Sequence, residues 1–344
     1  ESAGALTIVP AGESPLPESA AFEQRYAPIE DEYDLGQWLQ AIQTSPAVEY
    51  RGIRTRLALA GVQSKVAIAR FADQRLYRST GGATTHIVKL GSRADRQARE
   101  LYPHLVLNEF LCSRLAAACG LPISPVELLP YRLFRDGPLE YAFMIERHDR
   151  RIDYNRRTVS RLHQEDFCQA LGRHRRHKYE EGGGIALAEM FAFLTDPERV
   201  AAPAVDRLTL LRAVLFNCII GNRDAHAKNY SLLRVGHKAS LAPLYDLVCT
   251  EVYPELSGEL PQSIGQARTL GAITSKDWEQ LAAQLGMRPA AIRRQREQVI
   301  ATVEAALPKV LEEIGEHPAG LHAEQIVAGV GRAVRANIGH LTAT

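Results

Sequence analysis

One stretch constrains this chain more than any other: a strongly apolar segment that ends in a dense polar run. The apolar segment covers residues 208–220, Gly221 ends it, and residues 222–229 read Asn-Arg-Asp-Ala-His-Ala-Lys-Asn. A short apolar run, a turn and a second run then lead to Asp246. A buried helix that delivers so many polar side chains is unusual for a plain connector. The pattern therefore predicts a functional loop held in place by a buried helix.

The spacing within this run points to a particular chemistry. Asp224 and Asn229 lie five residues apart, as the Asp and Asn of a protein-kinase catalytic loop do. There the Asp orients or accepts the proton of the attacking hydroxyl, and the Asn binds Mg²⁺. Mg²⁺ usually takes one or two carboxylates together with phosphate oxygens, and Asp246 is placed to be a second metal ligand. Taken alone, the spacing also fits a polar turn, since Asn and Asp favour turns.

Composition sets the wider limits. The chain has 344 residues, of which 46% are hydrophobic, enough for one large core or for two lobes. A net charge of +1 gives no general attraction to nucleic acid or to membranes. No apolar run approaches the roughly 20 residues of a membrane helix, and no signal segment opens the chain. We expect no membrane partner.

The cysteines and the first residues add two expectations. The five cysteines are odd in number and irregularly spaced, and none forms a CxxC pair, which predicts reduced thiols in a cytoplasmic protein without a zinc site. The chain opens on Glu1 rather than Met, and residues 3–9 look like a strand already under way. We interpret it as a fragment, or as a chain whose first segment was removed.

Three features upstream of the loop are typical of a nucleotide-binding lobe. Two apolar strand-like runs flank residues 61–65, which predicts a hairpin whose turn could cover phosphates, although an ordinary hairpin fits as well. Lys89 lies in the predicted strand 85–90, and Glu109 lies in the first turn of the predicted helix 107–120. A strand Lys that pairs with a helix Glu contacts ATP phosphates in kinases. The alternatives are a solvent-facing Lys and a Glu that stabilises a helix end.

The rest of the pattern divides the chain in two. Strands are predicted at 126–129 and 141–147, and the second ends in a polar cluster through Asp149. Residues 146–148 of it would form an adenine hinge, with Met144 or His148 packing on the base. Locally this could equally be a strand end. Helices are predicted at 34–42 and, after residue 149, where the chain is mainly helical, at 164–172, 184–194, 207–220, 275–285, 289–314 and 323–338. Pro308 could kink or split the sixth of them, and the basic run 173–178 is interpreted as a solvated surface.

These pieces, in this order, resemble the HipA family of serine/threonine-kinase toxins from bacterial toxin–antitoxin pairs. The resemblance is carried by segments at 60–65, 85–90, 108–112, 145–150, 161–172, 178–180, 221–231 and 241–246. Together they cover most of residues 55–250. The residues near the amino terminus resemble the end of the family's amino-terminal subdomain, so most of that subdomain would be missing here or would be a separate chain.

The resemblance implies a role for each candidate residue. Asp224 would be the catalytic base, and Asn229 and Asp246 would hold Mg²⁺. The residues expected to bind ATP are Gly61, Val62, Gln63, Ser64 and Lys65 in a phosphate loop, Lys89 with Glu109, Glu146 and His148 at the hinge, and His226 and Lys228 in the catalytic loop. The family also implies a HipB-like helix-turn-helix antitoxin that contacts DNA, and a translation protein such as an aminoacyl-tRNA synthetase as substrate.

The sequence departs from the family at one regulatory position. The family usually carries a serine shortly before the loop glycine, which the kinase phosphorylates to switch itself off. Here the corresponding residues are Ala58 and Ala60. Either this brake is absent or the serine was replaced, and Ser64 is a weak substitute candidate.

The sequence as a whole predicts an α+β, two-lobed, protein-kinase-like fold. Residues 1–50 would be a remnant of the amino-terminal subdomain with a connector, residues 51–149 a small α/β lobe, and residues 150–344 a mainly helical lobe. The predicted activity is ATP- and Mg²⁺-dependent phosphorylation of a protein Ser or Thr by a toxin that arrests growth. Two alternatives stay open: a nucleotide-binding pseudokinase that acts with an antitoxin, and a kinase for a small molecule.

Overall fold

The chain forms two compact units. The first comprises Glu1–Phe110 and Ser124–His163, and the second comprises Leu111–Ile123 and Gln164–Thr344. The structure is a computed structural model that describes residues 12, 14–17, 20–44, 47–50, 53–56, 63–92, 101–321 and 323–344. The strand predicted at 3–9, Gly61, Val62, Ala58 and Ala60 lie outside these described residues.

The first unit is built on strands. They are β1 (Tyr26–Pro28), β2 (Ala47–Tyr50), β3 (Ile53–Arg56), β4 (Gln63–Arg70), β5 (Leu76–Ser79), β6 (His86–Ser92), β7 (Val126–Tyr131), β8 (Glu140–Glu146), β9 (Arg150–Asp153) and β10 (Thr158–Arg161). The helices are α1 (Phe22–Arg25), α2 (Glu32–Thr44) and α3 (Leu105–Ala118), and α3 runs on into the second unit. The antiparallel central sheet has the order β1-β5-β4-β6-β8-β7.

Helix α2 covers one face of this sheet. Alternate residues of a strand point to the same face, and the strand residues that meet α2 follow that period of two. The buried cluster contains Leu35, Trp38, Leu39 and Ile42 from α2 with Val66, Ile68, Val88, Leu90, Ala142 and Met144 from the sheet. Gly36 allows α2 to approach the segment just after β7 closely, because a Cβ atom there would lie 1.9 Å from the carbonyl oxygen of Arg132.

The division between the units differs from the predicted boundary at residue 149. Residues 150–161 form the β9–β10 hairpin, and the amide of Ala72 donates a hydrogen bond to the carbonyl of Tyr154, 3.4 Å away. These contacts keep the segment in the first unit. Met144 also differs from its predicted place at an adenine site, because its side chain is 1% exposed within the core under α2.

The second unit is mainly helical. Its helices are α4 (Phe167–Ala170), α5 (Leu187–Phe193), α6 (Pro203–Ile220), α7 (Ser275–Gln284), α8 (Pro289–Glu316), α9 (Pro318–Leu321) and α10 (Glu324–Ala343). Its strands are β11 (His163–Asp166), β12 (Ser231–Val235), β13 (Lys238–Leu241), β14 (Glu259–Ile264) and β15 (Ala267–Thr269). Helices α6, α8 and α10 pack against one another, and almost every residue of α6 from Leu210 to its end is buried.

Two helix predictions need correction. The helix predicted at 164–172 is reduced to the short α4, preceded by strand β11. Asp166 causes this, because its carboxylate accepts a hydrogen bond from the amide of Gln169 at 3.0 Å and so caps a helix that starts only at Phe167. Helix α8 continues through Pro308 without being split.

The predicted α+β fold class is confirmed, with a smaller sheet-based unit and a larger helical one. None of the helices in the described part of the chain combines the length and the apolarity that crossing a lipid bilayer requires.

Candidate active site

Helix α6 ends where the polar loop must begin. Gly221 adopts the left-handed conformation, with φ 69° and ψ 34°, and its amide donates to the carbonyl oxygens of Asn217 and Cys218. A Cβ atom at this position would lie 2.6 Å from the carboxylate of Glu251. Both the backbone conformation and the lack of space favour glycine here. The chain therefore leaves the helix at a fixed angle.

Two buried asparagines tie the loop to α6. The side-chain nitrogen Nδ2 of Asn222 donates to the side-chain oxygen of Asn217 at 2.9 Å and to the carbonyl of Asp246 at 3.1 Å. The Asn217 amide nitrogen donates to the hydroxyl of Tyr230 at 3.0 Å. Buried polar groups that satisfy one another in this way rigidify the backbone they hold. The network joins the start of the loop, its end and the residue predicted to bind metal.

Asp224 lies at the tip of the loop with its side chain 56% exposed. Its amide donates to the side-chain oxygen of Asn222 at 3.1 Å, which orients the backbone. The hydroxyl of Tyr179 donates to Asp224 Oδ1, and Nε2 of His226 lies 3.7 Å from that same oxygen. An exposed, oriented carboxylate of this kind can accept a proton from an incoming hydroxyl.

The predicted metal ligands have suitable oxygens. The side-chain nitrogen Nδ2 of Asn229 donates to the carbonyl of Asp224 at 2.7 Å. The side-chain oxygen of Asn229 is therefore the atom that could face a cation. Asp246 has φ 54°, a conformation that is uncommon for residues other than glycine and often marks functional positions. Among the described residues, no group of three or more His, Cys, Asp or Glu forms a metal cluster. Mg²⁺ needs few protein ligands when phosphate oxygens supply others, so Asn229 and Asp246 stay the predicted ligands.

The structure places the other two loop candidates in contacts with protein side chains. Nζ of Lys178 lies 2.8 Å from Nε2 of His226. Burial lowers the pKa of His226 below its usual value; the charge of Lys178 also lowers it, whereas that of Asp224 raises it. The lowered pKa favours the neutral form of this imidazole within the predicted loop. The ammonium of Lys228 donates to the carboxylate of Asp166, the cap of α4.

In the first unit, the predicted pair of Lys89 and Glu109 is present. Nζ of Lys89 lies 2.5 Å from Oε1 of Glu109, and the two side chains are 7% and 2% exposed. Lys89 also lies 5.5 Å from the ring centroid of Phe143. Kinases use the same arrangement: a lysine on a strand pairs with a glutamate on a helix, which holds the ammonium where it binds phosphates.

The predicted phosphate turn is only partly described, and its described part is a strand. Gln63, Ser64 and Lys65 belong to β4, where Lys65 is opposite Lys89 in the register with β6. In that register Gln63 is opposite Ser92, its side-chain Nε2 donates to the carbonyl of Leu90 at 2.6 Å, and Ser64 is buried. These three residues are therefore not in a turn, because strand pairing with β6 already begins at Gln63.

The predicted hinge is a strand end stabilised by charged side chains. Glu146 ends β8 and accepts a hydrogen bond from the hydroxyl of Tyr154. After it, Arg147 forms a bidentate pair with the buried Asp149, at 2.9 and 2.8 Å, and Nη1 of Arg150 lies 2.9 Å from the same carboxylate. His148 lies within this segment and is half-buried. The backbone after β8 is therefore rigidly held.

Several residues that contact the predicted loop were not predicted from the sequence. Tyr179, Asn217 and Asp166 contact Asp224, Asn222 and Lys228 respectively, at separations of 45, 5 and 62 residues. Tyr179 lies next to the basic run 173–178, and nothing in its local pattern distinguishes it from a surface tyrosine. Asn217 interrupts the apolar run of α6, and a polar residue in a buried helix is the one signal that could have identified it.

The fold and the loop together define a protein-kinase-like chain. The family model of the HipA-like C-terminal domain matches residues 57–307. The chain therefore belongs to the HipA family, as the sequence predicted.

Individual relatives agree with this family. "Putative kinase Y4mE" of Sinorhizobium fredii is 36% identical over 316 residues, which cover 91% of this chain and 70% of that protein. The serine/threonine-protein kinase toxin HipA of Shewanella oneidensis is 30% identical over 277 residues, and the match spans 77% of this chain but only 58% of the toxin. The solved complex of Shewanella oneidensis HipA with HipB and operator DNA contains a chain that matches with a TM-score of 0.77 and 26% identity, covering 98% of this chain and 75% of that one.

Proposed function

We propose that the chain is an ATP- and Mg²⁺-dependent protein kinase that phosphorylates serine or threonine and acts as the toxin of a toxin–antitoxin pair. The observation that carries the proposal is the geometry of one loop. Asp224 is exposed and oriented, and the amide of Asn229 is fixed on the backbone of Asp224. Asp246 is held by the same asparagine that anchors the loop. This is the residue set that phosphoryl transfer requires.

Each residue has a defined task in the proposed reaction. Asp224 accepts or orients the proton of the target hydroxyl as that oxygen attacks the terminal phosphate of ATP. The side-chain oxygens of Asn229 and Asp246 would hold Mg²⁺, which neutralises phosphate charge when bound. Lys89, oriented by Glu109, would contact the phosphates. Catalysis would consist mainly of positioning and charge neutralisation, because the protein performs little covalent chemistry itself.

The proposed partners follow from the family. A HipB-type helix-turn-helix antitoxin is supported by the relative that was solved with HipB and operator DNA. A translation protein, such as an aminoacyl-tRNA synthetase, is the proposed substrate class. The match covers 58% of the Shewanella toxin, and a separate protein that carries an amino-terminal subdomain is a further proposed partner.

The test is transfer of labelled phosphate. The purified chain is incubated with radiolabelled ATP, Mg²⁺ and a bacterial cytosolic extract, beside an Asp224→Asn variant. We expect one or a few labelled proteins, and a loss of labelling of about 10²- to 10⁴-fold in the variant, the usual effect of removing a general base. Asp196→Asn is the matched control, because Asp196 is a partly exposed carboxylate that pairs with Arg199 at 3.1 Å.

Two outcomes would contradict the proposal. Equal labelling by the wild-type chain and the Asp224→Asn variant would exclude Asp224 as the catalytic base. ATP binding in a thermal-shift assay, without any labelled protein, would favour a pseudokinase or a small-molecule kinase instead.

A further inference from the structure

Tyr179 lies in a segment that is fixed on both sides next to the catalytic loop. The carbonyl of Lys178 accepts a hydrogen bond from the amide of Ala227 at 3.0 Å. On the other side, the amide of Glu180 donates to the carbonyl of Pro261 at 3.0 Å, and the Glu180 carboxylate accepts from the hydroxyl of Ser263 at 2.9 Å. With both neighbours anchored, the tyrosine side chain extends from an ordered backbone.

The side chain itself is held in contact with the loop. Its ring packs edge-on against His226, with 5.1 Å between the ring centroids, and the ammonium of Lys178 lies 4.8 Å from its centroid. Its hydroxyl donates to Oδ1 of Asp224. Burial, and then the nearby Asp224 carboxylate, raise the pKa of Tyr179 well above its usual value, so the hydroxyl keeps its proton and stays a donor at neutral pH.

This contact distinguishes the two oxygens of Asp224. Oδ1 accepts from Tyr179 and faces His226, whereas the carboxylate as a whole is 56% exposed. We propose that Tyr179 is a positioning residue, which fixes the rotamer of Asp224 so that Oδ2 is the oxygen that receives the proton of the target hydroxyl. The inference rests on the proposed kinase function and assigns to that reaction a residue outside the loop.

The anchoring argues against the other role that such a contact could have. A tyrosine that blocked Asp224 as a removable latch would need a backbone that can swing away or a side chain that is free to rotate. Here Lys178 and Glu180 are each tied to a different part of the second unit, and the amide of Gly184 donates to the carbonyl of Glu180 at 3.1 Å. Movement of the backbone would break several of these bonds together, and rotation of the side chain would separate the ring from His226 and Lys178.

The test separates the hydroxyl from the ring. Tyr179→Phe removes only the hydroxyl, and Tyr179→Ala removes the ring as well. Tyr77→Phe is the matched control, because the hydroxyl of Tyr77 donates to the carboxylate of Asp73 at 2.6 Å in the first unit. Rates of label transfer into the acceptor proteins of the cytosolic extract are measured against ATP concentration, and ATP binding and folding are followed by thermal shift.

We expect both Tyr179 variants to lower the maximal rate about tenfold, as the loss of a hydrogen bond to a charged group does, with an unchanged KM for ATP. The Tyr77→Phe control should match the wild-type chain. A wild-type rate in Tyr179→Phe with a loss only in Tyr179→Ala would show that the ring merely packs, and would overturn the proposal. A faster Tyr179→Phe would identify a blocking contact, and a raised KM alone would identify a nucleotide contact; either result overturns it. If the wild-type chain transfers no label, the kinase function fails as well.

Discussion

Substitution of Glu109 tests the buried ion pair of the first unit. Lys89 and Glu109 are 2.5 Å apart with side chains 7% and 2% exposed, so water screens them little. At an effective dielectric constant of about 20, two unit charges at this distance attract by about 7 kcal/mol. Most of that attraction offsets the cost of desolvating both ions. Glu109→Gln keeps the shape of the side chain but removes this counter-charge from a buried ammonium.

The expected loss is about 3 kcal/mol in the free energy of unfolding of the first unit. Removing one partner of a buried pair costs about 3–5 kcal/mol, and glutamine, which still offers an oxygen, should fall at the lower end. The double variant Lys89→Met/Glu109→Leu should recover most of this stability, because it leaves no buried charge at this pair. It should not recover phosphate transfer, because the ammonium is absent.

The two tryptophans make the measurement specific. Trp38 of α2 belongs to the same buried cluster as Val88 and Leu90, which flank Lys89 in β6. Trp278 lies in the second unit. In a Trp278→Phe background, urea unfolding followed by fluorescence therefore reports the first unit. With a slope of about 2 kcal/mol per M, the midpoint should fall by about 1.5 M.

The control is an exposed pair of the same unit. Glu32 lies 3.1 Å from Arg132, with side chains 49% and 31% exposed, and Glu32→Gln should cost below about 1 kcal/mol. A loss in Glu109→Gln no larger than in this control would refute the reasoning, because it would mean that the pair is solvated.

Two further predictions concern Asp246 and His86. Asp246→Gly suits the left-handed backbone at φ 54°, so we expect a urea midpoint no lower than that of the wild-type chain together with loss of phosphate transfer; retained transfer would exclude Asp246 as a metal ligand. Burial, reinforced by the charge of Arg70, lowers the pKa of His86 from 6.5 to about 3. Between these two values the unfolded chain binds a proton that the folded chain does not, so this contribution to stability is complete above pH 6.5 and declines as pH falls towards 3, by up to about 1.4 kcal/mol per unit. Urea midpoints at pH 7, 6 and 5 should fall more steeply in the wild-type chain than in His86→Asn, and equal slopes would contradict the assignment.

The features predicted correctly are those with a strong local pattern. Helix α6 followed from a long apolar run that ends at Gly221, and the structure gives Pro203–Ile220 with a left-handed glycine after it. The pairing of Lys89 with Glu109 was predicted from a strand pattern and a helix pattern, combined with the analogy to kinases, and the two side chains do form an ion pair. In such cases periodicity and end signals decide the local structure before any long-range contact forms.

The features that were missed depend on contacts distant in sequence. Strand β11 (His163–Asp166) lies beside β12 in a small sheet, and no alternation within four residues could reveal that partner. Tyr179 reaches Asp224 from a segment anchored on both sides, through Lys178 to Ala227 and through Glu180 to Ser263 of β14. Tertiary packing decides such positions, and single-sequence patterns carry no information on it.

The asparagine network affects how readily the predicted loop opens. Asn217 belongs to a buried helix, so opening the loop that it anchors through Asn222 breaks a hydrogen bond made to that helix. We expect exchange of the loop's hydrogen-bonded backbone amides with solvent to be slow. The conformational entropy of the loop is lost once, during folding, and not again in each turnover. Control over such a site has to act on what reaches Asp224, since the loop itself is already ordered.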